Sequence, residues 1–319
     1  MILFQCDYNE GAHPKVMEKL METNLEQTVG YGEDEHCARA AALIRKACED
    51  DSLAVHFLVG GTQANVTVIA AARRPHQGVI AAQTGHINGH ETGAVEATGH
   101  KVLALPQKDG KISASQVKDL CEAHLNDASF EHTVQPKMVY ISNPTEYGTL
   151  YTRKELEALH EVCRRYGLYL FLDGARLGYG LAAADNELDL PMIAACCDVF
   201  YIGGTKVGAL FGEAVVMSND ELKKDFRYLI KQKGGMLAKG RLLGVQFEAL
   251  FEDGLYMEIS RHADRLADKL REAFTQAGFP FLVENQTNQI FPVILDSVLK
   301  KLGENYGYTY QERVDETHS

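Results

Sequence analysis

The stretch VFYIGGTKVGALFGEAVVMS, residues 199–218, contains two apolar runs joined by a short, glycine-containing segment. The runs 199–204 and 213–218 have the length of β-strands, and continuous apolar runs are typical of strands that are covered on both faces. Only Lys206 and Glu213 carry charge in this stretch. Burial lowers the pKa of a lysine toward the neutral amine that imine chemistry requires. A lysine whose amine reaches water from a strand end is the plain alternative.

Similar apolar runs recur along the rest of the chain, with amphipathic stretches between them. Further strands are predicted at 53–60, 78–83, 101–106, 137–143 and 168–173. Helices are predicted at 34–50, 62–74, 152–167 and 218–233, and two long helices share the segment from about 236 to 278, with a break near Asp253-Gly254. The alternation of strands and helices predicts βα units on a mostly parallel sheet, and therefore an α/β fold.

Three of the predicted helices begin with a residue that can cap them. Thr152 is followed three residues later by Glu155, which is a capping-box spacing, and Ser218 stands in the same relation to Glu221. Thr62 is a possible N-cap for the helix at 62–74. These signals place the helix starts directly after apolar runs.

The chain is expected to form two domains. Residues 1–250 make up the large domain, and about the first 12 of them form an N-terminal arm. Residues 251–319 make up a smaller C-terminal α+β domain. Within it, the segment FPFLVENQTNQIFPVIL (279–295) is expected to form two strands around an Asn/Gln turn.

Composition excludes several classes of protein. The 319 residues are 45% hydrophobic and 24% charged, which is ordinary for a soluble globular chain. The net charge of −12 argues against nucleic acid or an anionic membrane as the main partner. The N-terminal apolar run is too short for a signal peptide, and no stretch approaches the roughly 18 apolar residues of a membrane helix. The seven cysteines include no CxxC pair, which indicates reduced thiols and a cytoplasmic location.

Ligands of such sheets bind beyond the carboxyl ends of the strands, so the residues at those ends are the candidates for a binding site. One strand runs through Gly60, Gly61 and Thr62 directly into a helix. Glycines let backbone N–H groups close on an anion, and a helix N-terminus favours negative charge. The segment therefore suits a bound phosphate, although a simple strand–helix turn with a Thr cap would have the same sequence.

Two other strand ends carry ionisable residues. Asp173 ends an apolar strand, where its carboxylate needs a cationic partner, either a protonated pyridine nitrogen or Arg176. His86 lies near His90 and Glu91, a spacing that would suit a metal on a helix. Three glycines in this segment argue against a long helix. A loop histidine placed over a flat aromatic ring is the favoured interpretation, and no metal is expected.

With these residues in place, the sequence resembles the low-specificity threonine aldolases and related β-eliminating lyases, over about residues 5–250. The segments that carry the resemblance are YGEDE (31–35), GGTQAN (60–65), GHINGHETGA (85–94), FLDGARLG (171–178), GGTKVG (203–208) and KGGMLAKGR (233–241). The family has the aspartate-aminotransferase-like fold, fold type I of the enzymes that use pyridoxal 5′-phosphate (PLP). The resemblance therefore implies a PLP-dependent transferase-like α/β fold and PLP as the cofactor.

The resemblance also assigns the cofactor residues. Lys206 would form the Schiff base with PLP, and Asp173 would pair with the pyridinium nitrogen. His86 would stack on the ring. The phosphate would be held by Gly60, Gly61 and Thr62, with Thr205 as a helper.

Further residues are implied for the substrate. Arg176, beside the cofactor, would bind the carboxylate, and Glu91 would orient groups around His86. Tyr31 and Lys233 would lie near the cofactor and reach it from a neighbouring subunit. The family's Ser-Asp pair, which helps to bind the carboxylate, corresponds to Cys6-Asp7 in this sequence, and its Thr-His pair after the strand ending at Asn143 corresponds to Pro144-Thr145. Asp7, Asn143 and Thr145 are therefore expected at the substrate.

The implied activity is cleavage of the Cα–Cβ bond of a 3-hydroxy amino acid, such as threonine, allo-threonine or a phenylserine, to glycine and an aldehyde. β-Elimination to a keto acid and ammonia is the alternative with the same cofactor. A metal-dependent hydrolase using His86, His90 and Glu91, or a non-catalytic binder of a phosphorylated ligand, would fit the residues without the resemblance. Fold type I also implies a homodimer or homotetramer with the active site at the subunit interface.

Overall fold

A seven-stranded sheet forms the centre of the protein, whose computed structural model describes residues 1–72 and 74–319. Its strands are β2 (Ala54–Leu58), β3 (Gln77–Ala82), β4 (Val102–Leu105), β5 (Gln135–Ser142), β6 (Tyr169–Asp173), β7 (Val199–Gly203) and β8 (Glu213–Met217). They lie in the order β2-β8-β7-β6-β5-β3-β4. A separate two-stranded sheet pairs β1 (Ile2–Leu3) with β9 (Tyr306–Gly307) in parallel.

The central sheet is mostly parallel, as predicted. The pairs β7–β6, β6–β5, β5–β3 and β3–β4 are all parallel. Strand β8 is antiparallel to both of its neighbours, β2 and β7. Because β8 runs in the opposite direction, its first residue, Glu213, lies at the same edge of the sheet as the last residues of β6 and β7.

Helices cover both faces of the sheet. They are α1 (Pro14–Glu22), α2 (Glu35–Ala47), α3 (Gly61–Ala71), α4 (His86–Gly89), α5 (Ala114–Asn126), α6 (Arg153–Tyr166), α7 (Leu177–Ala182), α8 (Leu190–Cys196), α9 (Asp220–Lys223), α10 (Phe226–Gln232), α11 (Arg241–Glu252), α12 (Leu255–Gln276) and α13 (Asp296–Leu302). Two 3₁₀ turns lie at Glu96–Thr98 and Phe130–His132. In the part of the chain that the structure describes, no helix is long and apolar enough to cross a membrane.

Alternating strand residues divide the core into two clusters. Val139 and Phe200 point to a cluster that α2, α5, α6, α8 and α11 complete. Tyr140 and Tyr201 point to the other, which α3, α9 and α10 cover. The burial of both faces explains why these strands are continuous apolar runs in the sequence.

The predicted capping box of α6 is confirmed. The Thr152 side chain accepts a hydrogen bond from the Glu155 N–H, and the Glu155 side chain accepts one from the Thr152 N–H. Gly167 ends the helix in the left-handed conformation, with φ of 62°. The predicted break between α11 and α12 is also confirmed, since Gly254 lies between them with φ of 71°.

The other capping predictions are wrong. The hydroxyl of Ser218 donates to the backbone oxygen of Cys197, and the side chain of Asn219 accepts from the Glu221 N–H instead. The predicted helix at 218–233 is divided into α9 and α10, because Asp225 between them is left-handed, with φ of 56°. A residue in that conformation ends one helix before the next can start.

Helix α3 begins at Gly61, with Gly60 rather than Thr62 at the N-cap position. Arg73, near the end of the predicted helix at 62–74, lies outside the described residues.

The two strands expected in 279–295 are not formed, and only one antiparallel bridge joins Phe281 to Pro292. Proline cannot donate to a strand ladder, which limits pairing in this segment.

Candidate active site

Asp173 lies at the centre of the site, at the end of β6, and is 4% exposed. Its carboxylate accepts hydrogen bonds from the hydroxyls of Tyr140 and of Tyr201, the latter at 2.5 Å, and from Asn65 Nδ2 at 3.2 Å and Ala175 N at 3.0 Å. Burial, with the nearby Asp173 charge, raises the pKa of both tyrosines well above the usual value, so both remain donors. All four donors are neutral, and no ion pair joins Asp173 to a cation within residues 1–72 and 74–319.

Strand register brings two of these donors to Asp173. Tyr140 is two residues before Ser142, which pairs with Asp173 across β5 and β6, so the two side chains share a face. Phe171 pairs with Val199, which places Tyr201 level with Asp173 on β7. The sequence analysis missed both tyrosines, although this alternation could have shown them.

His86 is held at the start of α4 by two carboxyl groups. Its Nδ1 lies 2.8 Å from Glu91 Oε1, and its backbone N–H donates to Glu146 Oε1 at 2.9 Å. The Glu91 side chain is fully buried and also accepts from Asn65 Nδ2 at 2.7 Å. The hydrogen bond to Glu91, opposed by burial, raises the pKa of His86. The His86 side chain is 39% exposed, so it can face a ligand.

Lys206 follows β7 in the segment that joins it to β8. Its Nζ makes no hydrogen bond to any residue that the structure describes, and it lies 6.0 Å from the centre of the Tyr8 ring. Burial lowers the pKa of Lys206, and the charge of Arg176 lowers it further, against the opposing effects of Asp7, Asp173 and Glu213. The Tyr179 hydroxyl donates to the Lys206 carbonyl and fixes the backbone. The site thus contains an amine that is biased toward its neutral, nucleophilic form.

Arg176 is paired with Asp7 of the N-terminal arm. Its Nε and Nη2 donate to the two Asp7 oxygens at 2.6 and 3.1 Å, and Asn288 Nδ2 donates to Asp7 at 2.9 Å. Burial opposes the ionisation of Asp7, but Arg176 outweighs it and lowers the Asp7 pKa. The alternative in which Arg176 pairs with Asp173 is therefore wrong. Asn288, far away in the sequence, carried no signal that could have identified it.

The first turn of α3 lies at the same edge of the sheet. Gly60 provides no side-chain cap, and a Cβ at this position would meet nothing within 4 Å. Thr62 is exposed. Gln63 in this turn donates to the Lys233 carbonyl at 3.2 Å, so Lys233 lies beside it. The N–H groups of a first helical turn have no partner within the helix and can bind an anion.

Three other expected residues lie in different environments. Tyr31 lines a separate cavity of about 310 Å³, together with His56 and Arg227. Thr145 is buried in a turn, and its hydroxyl is hydrogen bonded to Thr149 at 2.7 Å. Thr205 lies beside Lys206, and its hydroxyl donates to Glu213 at 2.9 Å.

Asn143 is buried at the end of β5, where its backbone N–H donates to the Asp173 carbonyl at 2.9 Å. Its Oδ1 accepts from the Tyr151 N–H at 2.9 Å, whereas its Nδ2 is enclosed without a partner. A buried donor without a partner is costly and indicates a missing acceptor. The turn after Asn143 directs Glu146, rather than Thr145, toward His86. Glu146 was not predicted from the sequence.

These features fit PLP. The buried Asp173 is surrounded by neutral donors and could accept a pyridinium N–H. Asn143 offers a spare donor, and α3 offers an anion-binding turn.

For a metal the donor set is poorer, because within residues 1–72 and 74–319 no three His, Cys, Asp or Glu side chains are grouped as a metal site requires. His86 and His90 lie with ring centres 5.7 Å apart, but Glu91 is already bound to His86 and Asn65.

The chain is similar in sequence to known proteins. The sequence model of a family described as beta-eliminating lyase matches residues 5–297. The low specificity L-threonine aldolase of Pseudomonas aeruginosa is 30% identical over 305 residues, which cover 94% of this chain and 86% of the relative. The enzyme of the same name from Pseudomonas sp. (strain NCIMB 10558) is 30% identical and covers 96% and 88%.

Solved structures show the same similarity. The threonine aldolase of Leishmania major superposes with a TM-score of 0.97 at 44% identity, covering 100% of this chain and 92% of that one. The aspartate aminotransferase of Thermus thermophilus superposes with a TM-score of 0.70 at 16% identity, covering 94% and 80%. At that identity only the fold is shared, and the predicted fold type I is confirmed.

Proposed function

The chain belongs to the beta-eliminating lyase family, and from this membership we propose that it is a PLP-dependent lyase. It cleaves the Cα–Cβ bond of a 3-hydroxy amino acid, threonine or a close analogue, to glycine and an aldehyde. The observation that carries the proposal is the position of Lys206, Asp173 and the first turn of α3 at one edge of the sheet. They would provide an amine, an acceptor for a pyridinium N–H and a phosphate site at that edge.

The residues that hold the cofactor follow from their chemistry. The N–H groups of α3 and the Thr62 hydroxyl would hold the phosphate, with Thr205 nearby. Asp173 would accept the pyridinium N–H, and Asn143 Nδ2 would supply a further donor. His86 would lie against the ring. When bound to Lys206, PLP supplies an electron sink for the bond that breaks.

Arg176 binds the substrate carboxylate and so fixes which bond at Cα is aligned for cleavage. Two of its nitrogens contact Asp7, which keeps the guanidinium plane in one orientation. Asp7 in turn is held by Asn288. Asp7 of the N-terminal arm and Asn288 of the C-terminal segment therefore both help to orient the Arg176 guanidinium.

His86, or a water molecule that it positions, takes the proton of the substrate hydroxyl as the Cα–Cβ bond breaks. Glu91 accepts the hydrogen bond from Nδ1, which leaves Nε2 as the proton acceptor. The Asn65 amide donates to both Glu91 and Asp173. One amide therefore fixes Glu91, which orients the His86 imidazole, and Asp173, which would face the PLP ring.

Spectroscopy with covalent trapping tests the cofactor proposal. The purified protein should show a visible absorption band that borohydride abolishes, and mass mapping should find a phosphopyridoxyl group on Lys206. A protein that stays colourless after incubation with PLP would contradict the proposal. Free PLP in solution with an unrelated protein serves as the control for nonspecific lysine labelling.

Product analysis distinguishes the two reactions that this cleft could support. Cleavage of threonine gives acetaldehyde and glycine, whereas elimination gives a keto acid and ammonia. The second is supported by the burial of Lys206, which lowers its pKa and would help its amine to take a proton from Cα. Detection of keto acid and ammonia without glycine would assign the elimination reaction.

The working form is proposed to be a homodimer or homotetramer in which Tyr31 reaches the cofactor of a neighbouring subunit. Tyr31 is 47% exposed in the single chain, as a residue that contacts another subunit would be. A cytoplasmic location is proposed because all seven cysteines are free.

A further inference from the structure

Tyr8 of the N-terminal arm lies beside the Lys206 amine. The centre of its ring is 6.0 Å from Lys206 Nζ. Tyr8 is also 56% exposed, so much of its side chain borders solvent. An aromatic ring therefore stands at the open side of the site, next to the group that would carry the cofactor.

The arm is attached to the rest of the protein on both sides of Tyr8. Asp7, the residue before it, accepts hydrogen bonds from Arg176 at 2.6 and 3.1 Å. At the start of α1, the backbone N–H of His13 donates at 2.9 Å to the carbonyl of Gly208, in the segment between β7 and β8. These attachments tie the arm to the two elements that carry the guanidinium and the amine of the site.

The same two elements would hold the substrate. In the proposed function Arg176 binds the carboxylate, and the amino group lies at Lys206. Both groups of an amino acid are attached to Cα, so Cα lies between these two anchors. Tyr8 adjoins one anchor through its chain neighbour Asp7 and the other through its ring, so it borders the space that is left for the substituents of Cα.

A phenol ring in this place favours some substituents over others. Two aromatic groups pack in offset or edge-to-face geometry, and such a pair stabilises a complex beyond the effect of the area that it buries. A methyl group on the same ring buries much less apolar area. Because the Tyr8 side of the site is open, a large substituent can extend along the ring toward solvent.

We propose that Tyr8 determines specificity for the substituent at Cβ and favours 3-hydroxy amino acids that carry an aromatic group there, such as phenylserine. The Tyr8 ring packs against that aromatic group at the open side of the site. The proposal rests on the proposed function, since it requires the substrate to bind between Arg176 and Lys206. It assigns the selection to the ring and not to the phenol hydroxyl.

The test compares aldehyde release from phenylserine and from threonine by the PLP-loaded protein, since an enzyme discriminates substrates by the ratio of their kcat/KM values. In Tyr8→Ala, kcat/KM for phenylserine should fall about tenfold more than kcat/KM for threonine, because only phenylserine loses an aromatic partner. Tyr8→Phe keeps the ring, so its ratio should stay within about twofold of that of the unmodified protein. An unchanged ratio in Tyr8→Ala, or an equally altered ratio in Tyr8→Phe, would overturn the proposal.

Tyr166→Ala is the control for loss of a tyrosine elsewhere. Tyr166 is the last residue of α6, and its hydroxyl donates to Glu122 at 2.9 Å. It precedes the start of β6, at the edge of the sheet opposite to the site. This variant should leave the ratio of the two kcat/KM values unchanged. A shift equal to that of Tyr8→Ala would overturn the proposal.

Binding of two unreactive analogues gives a readout that does not depend on cleavage. Phenylalanine and alanine lack the hydroxyl group that this cleavage requires. In calorimetry with the PLP-loaded protein, Tyr8→Ala should weaken binding of phenylalanine about tenfold more than binding of alanine. Equal weakening of both would overturn the proposal.

The unmodified protein separates failure of this proposal from failure of the proposed function. Release of aldehyde from threonine but not from phenylserine would overturn the role of Tyr8 and leave the proposed function intact. Absence of aldehyde from both substrates would instead refute the proposed function.

Discussion

At the scale of single residues, the site depends on acids with different surroundings. Asp173 is held by neutral donors, whereas Asp7 is already paired with Arg176. Glu91 is committed to an imidazole. Among the residues that the structure describes, Asp7 shares no donor with the other two acids, whereas Asn65 donates to both Glu91 and Asp173, so replacement of Glu91 should also affect the surroundings of Asp173.

Lys206→Ala should abolish the covalent adduct and reduce turnover roughly a thousandfold or more, because it removes the amine that would form the Schiff base. Initial rates of aldehyde release measure this directly. Lys224→Ala is the control, since Lys224 is exposed and its ion pair is with Glu221. Multiple turnovers by the alanine variant would contradict the assignment of Lys206.

Glu91→Gln should lower the pKa of His86, because the hydrogen bond to Glu91 is the main cause that raises it above the ordinary value of about 6.5. A raised pKa in the folded state means that this contact stabilises the fold below pH of about 6.5, and that the effect is lost as pH rises through the His86 pKa. The variant should therefore lose more thermal stability at acidic than at alkaline pH.

Histidine titration by NMR measures that pKa. Glu96→Gln is the control, because Glu96 is an exposed acid in the segment that follows α4. An unchanged His86 titration in the Glu91 variant would show that the contact does not govern the imidazole.

Part of this residue-scale detail could be predicted from the sequence. Lys206, Asp173 and His86 stand in recognisable segments at strand ends, and the structure brings them together. Asn65 could not be identified from motifs, because its role arises only when α3 packs beside β6, whereas strand alternation could have pointed to Tyr201. Thr145 was expected at the substrate, but a local turn uses its hydroxyl.

At the scale of elements, α2 and α11 pack so closely that one glycine is required. A Cβ at Gly244 would lie 2.5 Å from the Cys37 backbone nitrogen. Real Cβ contacts are longer, so the two helices can approach this far only without a side chain at that position. Cys37 itself is 4% exposed and cannot move aside into solvent.

Gly244→Ala should therefore destabilise the protein by about 1–3 kcal/mol, as overpacking of a core does. Thermal or chemical unfolding measures the change. Gly11→Ala is the control, because its Cβ would only make an ordinary contact of 3.9 Å with Leu210. Equal stability of the two variants would show that the helices can separate without cost.

The sequence predicted elements best where periodicity and capping agreed. Helix α6 has both signals and was predicted to the residue. The segment 279–295 has strand-like composition, but Pro280 and Pro292 leave too few donors for a ladder. The reversed direction of β8 could not be predicted, because an apolar run contains no information on its orientation.

At the scale of the whole molecule, a row of apolar side chains on and after α1 is uncovered. Met21, Leu25 and Val29 are 70%, 92% and 64% exposed. Monomeric proteins rarely leave such residues together at the surface. A neighbouring subunit would cover them and would also bring Tyr31 to another active site.

Leu25→Glu should shift the protein to a smaller species in sedimentation velocity, because burying an unpaired carboxylate at an interface is costly. Leu125→Glu is the matched control, since Leu125 is also exposed, at 64%, but lies on α5. Sedimentation of the unmodified protein as a monomer would contradict the proposed oligomer, and an equal shift in both variants would contradict the role of this surface.

The reversed direction of strand β8 restricts local opening of the hairpin formed by β7 and β8. Its backbone is hydrogen bonded on one side to β2 and on the other to β7, so the hairpin that bears Lys206 cannot open without breaking two ladders. Local opening is rarest where most backbone bonds must break at once. Amide protons of Glu213–Met217 should therefore exchange with deuterated water only in global unfolding events, and Lys206 lies in the segment that joins this strand to β7.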